Sequence, residues 1–294
     1  MRLLSQESRR LPLITFLVLL CVQASHGQER DQLASDACRP PSGYEALTQL
    51  DDLRFLVIGE LHGTVQTPAL FGELVCALAS SGMRILVGLE LMVWSESAID
   101  AYLRSDGTAE DRTTALTDSR WLDPTNIEVP DGRHSGAMWD LVERLRLLRA
   151  AGHEVEVTTF RGYLLPGEQS LTPFEARMAE TLLEAEAGGD YDLTVVLTGS
   201  AHARTSRVTE NGLLPFVPMA ANLPEESTIR LIAINGGGEA WYCQGGGCGV
   251  YQREGSREES TVRIALDTGL SRGFDGIFAV GNITASPPLT SALP

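Results

Sequence analysis

Glu60 and His62 follow the apolar run Phe55-Leu56-Val57-Ile58, with Gly59 and Gly63 on either side. Two residues apart in an extended segment, their side chains face the same way. The flanking glycines let the backbone turn sharply or approach a ligand closely. A carboxylate beside an imidazole supports two chemistries. Histidine titrates near neutral pH, so it can act as a general base while the carboxylate fixes its tautomer. Alternatively, Glu60, His62, Glu90 and His202 form a nitrogen and oxygen ligand set for a divalent metal that activates water. A purely structural histidine satisfying a turn is the bland alternative for His62.

Glu90 ends a second apolar run, Ile85 to Leu89, where a charge must be paired or face a cleft. A salt bridge to an arginine accounts for it as well as a catalytic role does. His202 stands four residues after Thr198, behind the apolar Leu193-Thr194-Val195-Val196-Leu197. Arg204, just beyond, is a candidate for binding an anionic group, with a surface position as its alternative. Arg133 and His134 lie on a loop before a long helical pattern, where they either line the cleft or open the helix. His153 precedes a strand, at the other end of any parallel sheet, and is set aside.

These groups need a scaffold that gathers strand ends. Short β-branched runs at 54–58, 84–90, 154–160, 192–197, 228–234 and 276–280 alternate with helical patterns at 67–81, 95–104, 135–151 and 172–187. Thr67 and Pro68 open the first helix, and Thr172 with Glu175 reads as a capping box for the last. Apolar strands alternating with helices predict an α/β fold, a mostly parallel sheet covered by helices on both faces. Ligands in such sheets bind outside the carboxyl ends of the strands, where Glu60, His62, Glu90 and His202 all fall. The glycine-rich region 236–261, with strand-like pieces at 240–243 and 250–252, predicts a small disulfide-tied β-hairpin near the C-terminus. Trp94, Trp121 and Trp139 lie in or near the insert 95–132, either over an apolar ligand or in the core.

The chain has 294 residues and a net charge of −16, and every basic residue is arginine. That acidity argues against nucleic acid and anionic membrane surfaces as partners, and the absence of lysine removes Schiff-base chemistry. Arg2, Arg9 and Arg10, an apolar stretch at 11–22 and small residues at Ser25 and Gly27 read as a secretory signal over 1–27. The apolar stretch is too short for a stable membrane span. Leu20 stands before Cys21 where a lipid-anchoring signal wants a small residue, so periplasmic or secreted protein without a lipid anchor is expected. Residues 28–285 then form one α/β domain and 286–294 a loose tail. Cys38, Cys76, Cys243 and Cys248 remain, an even number that fits two disulfides in an exported chain. Cys243 and Cys248 can close on each other and leave Cys38 to Cys76, one of three pairings.

Gly269-Leu-Ser271-Arg-Gly273 matches the G-x-S-x-G nucleophile elbow, but that elbow needs a helix directly after it and a later histidine. A strand follows instead, and no histidine comes after His202. No phosphate-binding loop is present.

Strand-Gly59-Glu60-x-His62-Gly63, a strand ending in Glu90 and a later Gly199-x-x-His202 together resemble the erythromycin esterase/ChaN/Tiki group over about 53–280. The Glu-x-His spacing is closer to exported bacterial ChaN-like proteins. Erythromycin esterases carry an extra residue between Glu and His, and a Glu where this chain has Gln66. The resemblance implies a parallel α/β fold and several functions: metal-independent hydrolysis of a macrolactone with histidine activating water, metal-dependent proteolysis, or haem binding in iron uptake. On it, His62 is the water-activating base or a metal ligand, Glu60 and Glu90 its carboxylate partners, and His202 a second essential imidazole. The expected activity is hydrolysis of an ester or amide in a small-molecule or peptide substrate. A haem- or metal-binding protein without turnover is the rival, with no Cys-x-x-Cys-His attachment motif in the chain.

Overall fold

The computed structural model describes residues 38–123, 131–209, 215–245, 247–255, 257–266, 270 and 273–289. Among these residues nine strands and five α-helices are formed. The strands are β1 (Phe55–Glu60), β2 (Ile85–Met92), β3 (Val155–Arg161), β4 (Leu193–Gly199), β5 (Thr228–Ile234), β6 (Gly238–Gln244), β7 (Gly247–Arg253), β8 (Arg263–Leu266) and β9 (Gly276–Ala279). The helices are α1 (Gln66–Ser80), α2 (Glu96–Leu103), α3 (Ala109–Asp118), α4 (Gly136–Ala150) and α5 (Thr172–Ala187).

Seven strands form one sheet in the order β3-β2-β4-β1-β5-β9-β8, all parallel except the β8–β9 pair. Every residue of β1, β2 and β4 is buried, as strands covered on both faces require. Along β1 the side chains alternate between two cores. Leu56 and Ile58 pack with residues of α1, α2, α3 and α4, while Phe55 and Val57 pack with α5, Met219 and Leu223. Both faces of the sheet are therefore covered, as the sequence pattern predicts.

The hairpin β6–β7 stands apart from the main sheet, with Cys243 paired opposite Cys248 and joined to it. The second disulfide joins Cys38, ahead of β1, to Cys76 on α1. Two elements have no counterpart in the sequence reading. α3 is polar and buries only Ala115 and Leu116, so it lacks an apolar stripe, although Thr108 and Asp111 form a capping box at its start. β8 is four residues long, too short to show a period. Trp121 and Trp139 are core residues stacked edge to face at 5.3 Å, not a cover for a ligand.

Residues 286–289 are not loose. Ser286 is buried, its Oγ accepts from the Ala137 N–H at the start of α4, and Leu289 N–H donates to the His134 carbonyl. Satisfying the first turn of α4 is what holds this segment. The signal segment 1–27 and Ser271 lie outside the described residues, and Gly273 leads into β9 rather than a helix. No helix among the described residues is long and apolar enough to cross a membrane.

Candidate active site

β1, β4 and β2 are neighbours, and their register brings the sequence-predicted groups together. Glu60 pairs with Gly199, and Leu89 with Leu197, so Glu90 arrives beside Thr198. The turn after β1 sets His62. Gly63 has φ +73°, and a Cβ there would overlap the Trp241 carbonyl of β6, so only glycine fits. Its carbonyl accepts from the Trp241 and Ser286 N–H groups, pinning the turn from two sides. After β4 the chain folds back, with His202 N–H donating to the Gly199 carbonyl and Ala220 N–H to the His202 carbonyl.

Two imidazole–carboxylate pairs result. His62 Nδ1 lies 2.8 Å from Glu60 Oε1, and His202 Nδ1 lies 2.7 Å from Glu175 Oε1. Each carboxylate holds Nδ1–H and leaves Nε2 facing inward. Both Nε2 atoms converge on Glu90, at 3.7 Å for His62 and 3.4 Å for His202. The two imidazole side chains remain 15% and 13% exposed, so each can be reached from outside, while all three glutamates are buried.

Glu90 is held on every side. Thr198 Oγ1 and the Gly199 N–H donate to its Oε2 at 2.7 and 2.6 Å, and Arg133 Nε and Nη2 reach Oε1 at 2.8 and 2.7 Å. Arg161, at the end of β3, lies 3.5 Å from the same oxygen, and Asp131 pairs with Arg133 from behind. Burial alone would push the Glu90 carboxyl up. The positive charge of Arg133, and after it that of His202, outweighs this and holds Glu90 ionised well below the usual carboxylate range. The opposite balance acts on His202. Burial lowers its pKa, but Glu90 and then the hydrogen bond to Glu175 raise it overall, which favours the imidazolium.

Of the sequence candidates, Glu60, His62, Glu90, His202 and Arg133 meet in this cluster. His134 does not. It is buried with its ring 5.0 Å from Trp121, and its carbonyl accepts from the Trp121 indole N–H, a packing position that gives no access to a substrate. Arg204 is buried rather than on the surface. Glu175 and Arg161 were absent from the sequence candidates. Glu175 sits in the apolar stripe of α5 with Met178, Ala179 and Leu182, and is fully buried. The expected capping box is not formed. Thr172 Oγ1 accepts from Val217 N–H, and Glu175 turns instead to His202 and to the Met219 N–H at 2.7 Å. A charge in register with an apolar stripe was the readable signal.

Among the described residues, no group of three or more His, Cys, Asp or Glu is disposed to hold a metal ion. The four groups differ in what they could offer a cation. Carboxylates on both Nδ1 atoms orient the imidazoles as in metal-bound histidines and leave Nε2 of His62 and His202 to coordinate, and Glu60 Oε2 is buried without a partner. Both Glu90 oxygens are taken by Thr198, Gly199 and Arg133, so Glu90 would have to leave these partners to join an ion.

No family model matches the chain, and no curated protein matches it in sequence. Solved structures do share its fold. A mutant of the erythromycin esterase EreC in its open conformation gives a TM-score of 0.61 at 14% identity, over 82% of this chain and 94% of that one. A succinoglycan biosynthesis protein gives 0.52 at 12% identity, over 85% and 93%. A Bacillus cereus protein gives 0.52 at 10% identity, over 90% and 99%. At such identities the likeness is one of fold, and function has to be argued from the site.

Proposed function

We propose that the protein is a hydrolase of an ester or amide that activates water with His62. The observation carrying this reading is that the pairs Glu60–His62 and Glu175–His202 converge on Glu90 at the carboxyl ends of three neighbouring strands. Glu60 fixes the Nδ1–H tautomer of His62, so its Nε2 carries the lone pair and takes a proton from water. The resulting hydroxide oxygen bonds to the substrate carbonyl carbon, and the carbonyl electron pair moves to oxygen. His202, held as imidazolium, and Arg161 form the cationic side of the site and stabilise that oxyanion. When the tetrahedral species collapses, the bond to the leaving group breaks and His62 returns its proton there. Acid and alcohol (or amine) leave, and His62 is neutral again. Glu90 positions the two imidazoles and the arginines.

The two disulfides, Cys38–Cys76 and Cys243–Cys248, support an exported location, where such bonds persist.

The test is release of product from a panel of simple ester and amide substrates by the purified protein beside His62→Ala. Turnover that falls by about 10²–10⁴ in the variant is expected for loss of a general base. Turnover by wild type and His62→Ala at the same rate would reject the mechanism.

A further inference from the structure

The loop between β3 and α5 presents Tyr163, Leu164 and Leu165, which are 57%, 56% and 52% exposed. No other three consecutive large apolar residues among those described are exposed together. The loop is tightly built. Leu165-Pro166-Gly167-Glu168 is a turn with Pro at its second position, Gly167 at φ +89° and the Glu168 N–H donating to the Leu165 carbonyl, the features of a type II turn. Glu168 accepts from the Leu165 N–H and pairs with both terminal nitrogens of Arg177, which also donates to the Tyr163 carbonyl. Ordered structure is therefore spent on holding three apolar side chains in water, against the usual gain from burying them.

One end of this loop belongs to the candidate site and the other leads into the helix that carries Glu175. It begins at Arg161, which reaches Glu90 and lies over the Phe174 ring, and it ends at Thr172, three residues before Glu175. From these positions we infer that Tyr163, Leu164 and Leu165 form the binding surface for an apolar acyl or alkyl group of the substrate, whose carbonyl then lies beside Arg161. The inference rests on the hydrolase reading and names its substrate class as esters or amides with an extended apolar portion. A bilayer is the less suitable occupant, because a chain of net charge −16 is repelled by anionic lipid surfaces.

The test compares wild type with a Tyr163→Ser, Leu164→Ser, Leu165→Ser variant, and with Leu164→Ser alone in case the triple variant folds poorly. The first readout is kcat/KM on 4-nitrophenyl acetate, butyrate and octanoate. The expected result is a preference for octanoate over acetate in wild type that shrinks by about tenfold in the triple variant and partly in the single one. An unchanged chain-length profile would overturn the inference. The second readout needs no turnover: binding of the neutral apolar dye N-phenyl-1-naphthylamine, which weakens several-fold in the variants if the surface takes apolar groups. If no ester is hydrolysed yet the dye result holds, the hydrolase reading fails while the apolar surface stands. Equal dye binding by all three proteins overturns the surface itself. Co-sedimentation of wild type with phosphatidylcholine vesicles, lost in the triple variant while the ester profile is unchanged, would reassign the loop to a lipid surface and overturn the substrate assignment.

Discussion

Glu175 Oε1 lies 2.7 Å from His202 Nδ1, joining the first turn of α5 to the fold-back after β4. The carboxylate is fully buried and its other oxygen is taken by the Met219 N–H, so it has no freedom to serve as anything but an anchor for this imidazole.

Glu175→Gln keeps the shape and removes the charge. Activity should fall by about 10- to 100-fold, as for loss of a buried charge-assisted hydrogen bond. Glu175 is among the groups that raise the His202 pKa, and the mechanism uses the imidazolium, so the alkaline limb of the kcat/KM profile should also move to lower pH. A rate loss with the limb unmoved would make Glu175 a packing residue only.

Glu90→Gln takes the buried carboxylate charge away from the Arg133 guanidinium and leaves it paired with the more exposed Asp131. Removing one member of a buried ion pair costs about 3–5 kcal/mol, so urea unfolding at neutral pH should show a loss of that order. Thr198→Ala, which removes one hydrogen bond to Glu90 Oε2 and leaves the Gly199 N–H in place, should cost about 1–3 kcal/mol.

The two pKa shifts set opposite flanks of a stability profile. Glu90, lowered from 4.5, contributes stability that is present above that value and is lost as pH falls through its depressed folded pKa. His202, raised from 6.5, contributes stability that is complete below that value and lost as pH rises through its elevated folded pKa. Both contributions are full between about pH 4.5 and 6.5. Unfolding free energy measured across pH 6–9 should therefore decline, and His202→Gln should flatten that decline.

Gly199→Ala tests how closely the site is packed. A Cβ there would lie 3.1 Å from His62 Nε2, the atom assigned to take the proton from water. Turnover should drop by more than tenfold with little change in melting temperature, because the displaced group is a part-exposed side chain end.

Disulfide removal separates the two bridges by loop length. Cys38–Cys76 closes 38 residues and Cys243–Cys248 only 5. The chain-entropy relation gives about 4 and about 2 kcal/mol, so the paired serine variant of the first should melt well below that of the second.

How legible the site was depended on where each residue sits along its element. Glu60, His62, Glu90 and His202 stand at or just beyond the ends of apolar strands, and a continuous apolar run ending in charge can be read without a structure. Glu175 was hidden by a better-known explanation. Thr172 and Glu175 have capping-box spacing, and only the contacts of Thr172 with Val217 and of Glu175 with His202 show that the box is not used. Arg161 was hidden because a strand-end arginine is ordinary, and its proximity to Glu90 depends on β3 lying next to β2. His134 and Arg204 illustrate the converse: polar residues near the right loops prove to be buried. The parallel sheet itself was readable from its apolar strands, whereas the antiparallel β8 and the polar α3 were too weakly patterned to announce themselves.

The order β2-β4-β1 has a consequence for how this protein can change over evolutionary time. Its reacting groups stand at the ends of three adjacent strands or within three residues of them, and the strand ends are held at the hydrogen-bonded spacing of about 4.8 Å. No insertion or deletion in a loop beyond those short turns can stretch that ruler. The loop carrying Tyr163, Leu164 and Leu165 is under no such restriction, because these three side chains are more than half exposed. New substrates can therefore be acquired by rewriting that loop while the interval between the two imidazoles is inherited intact.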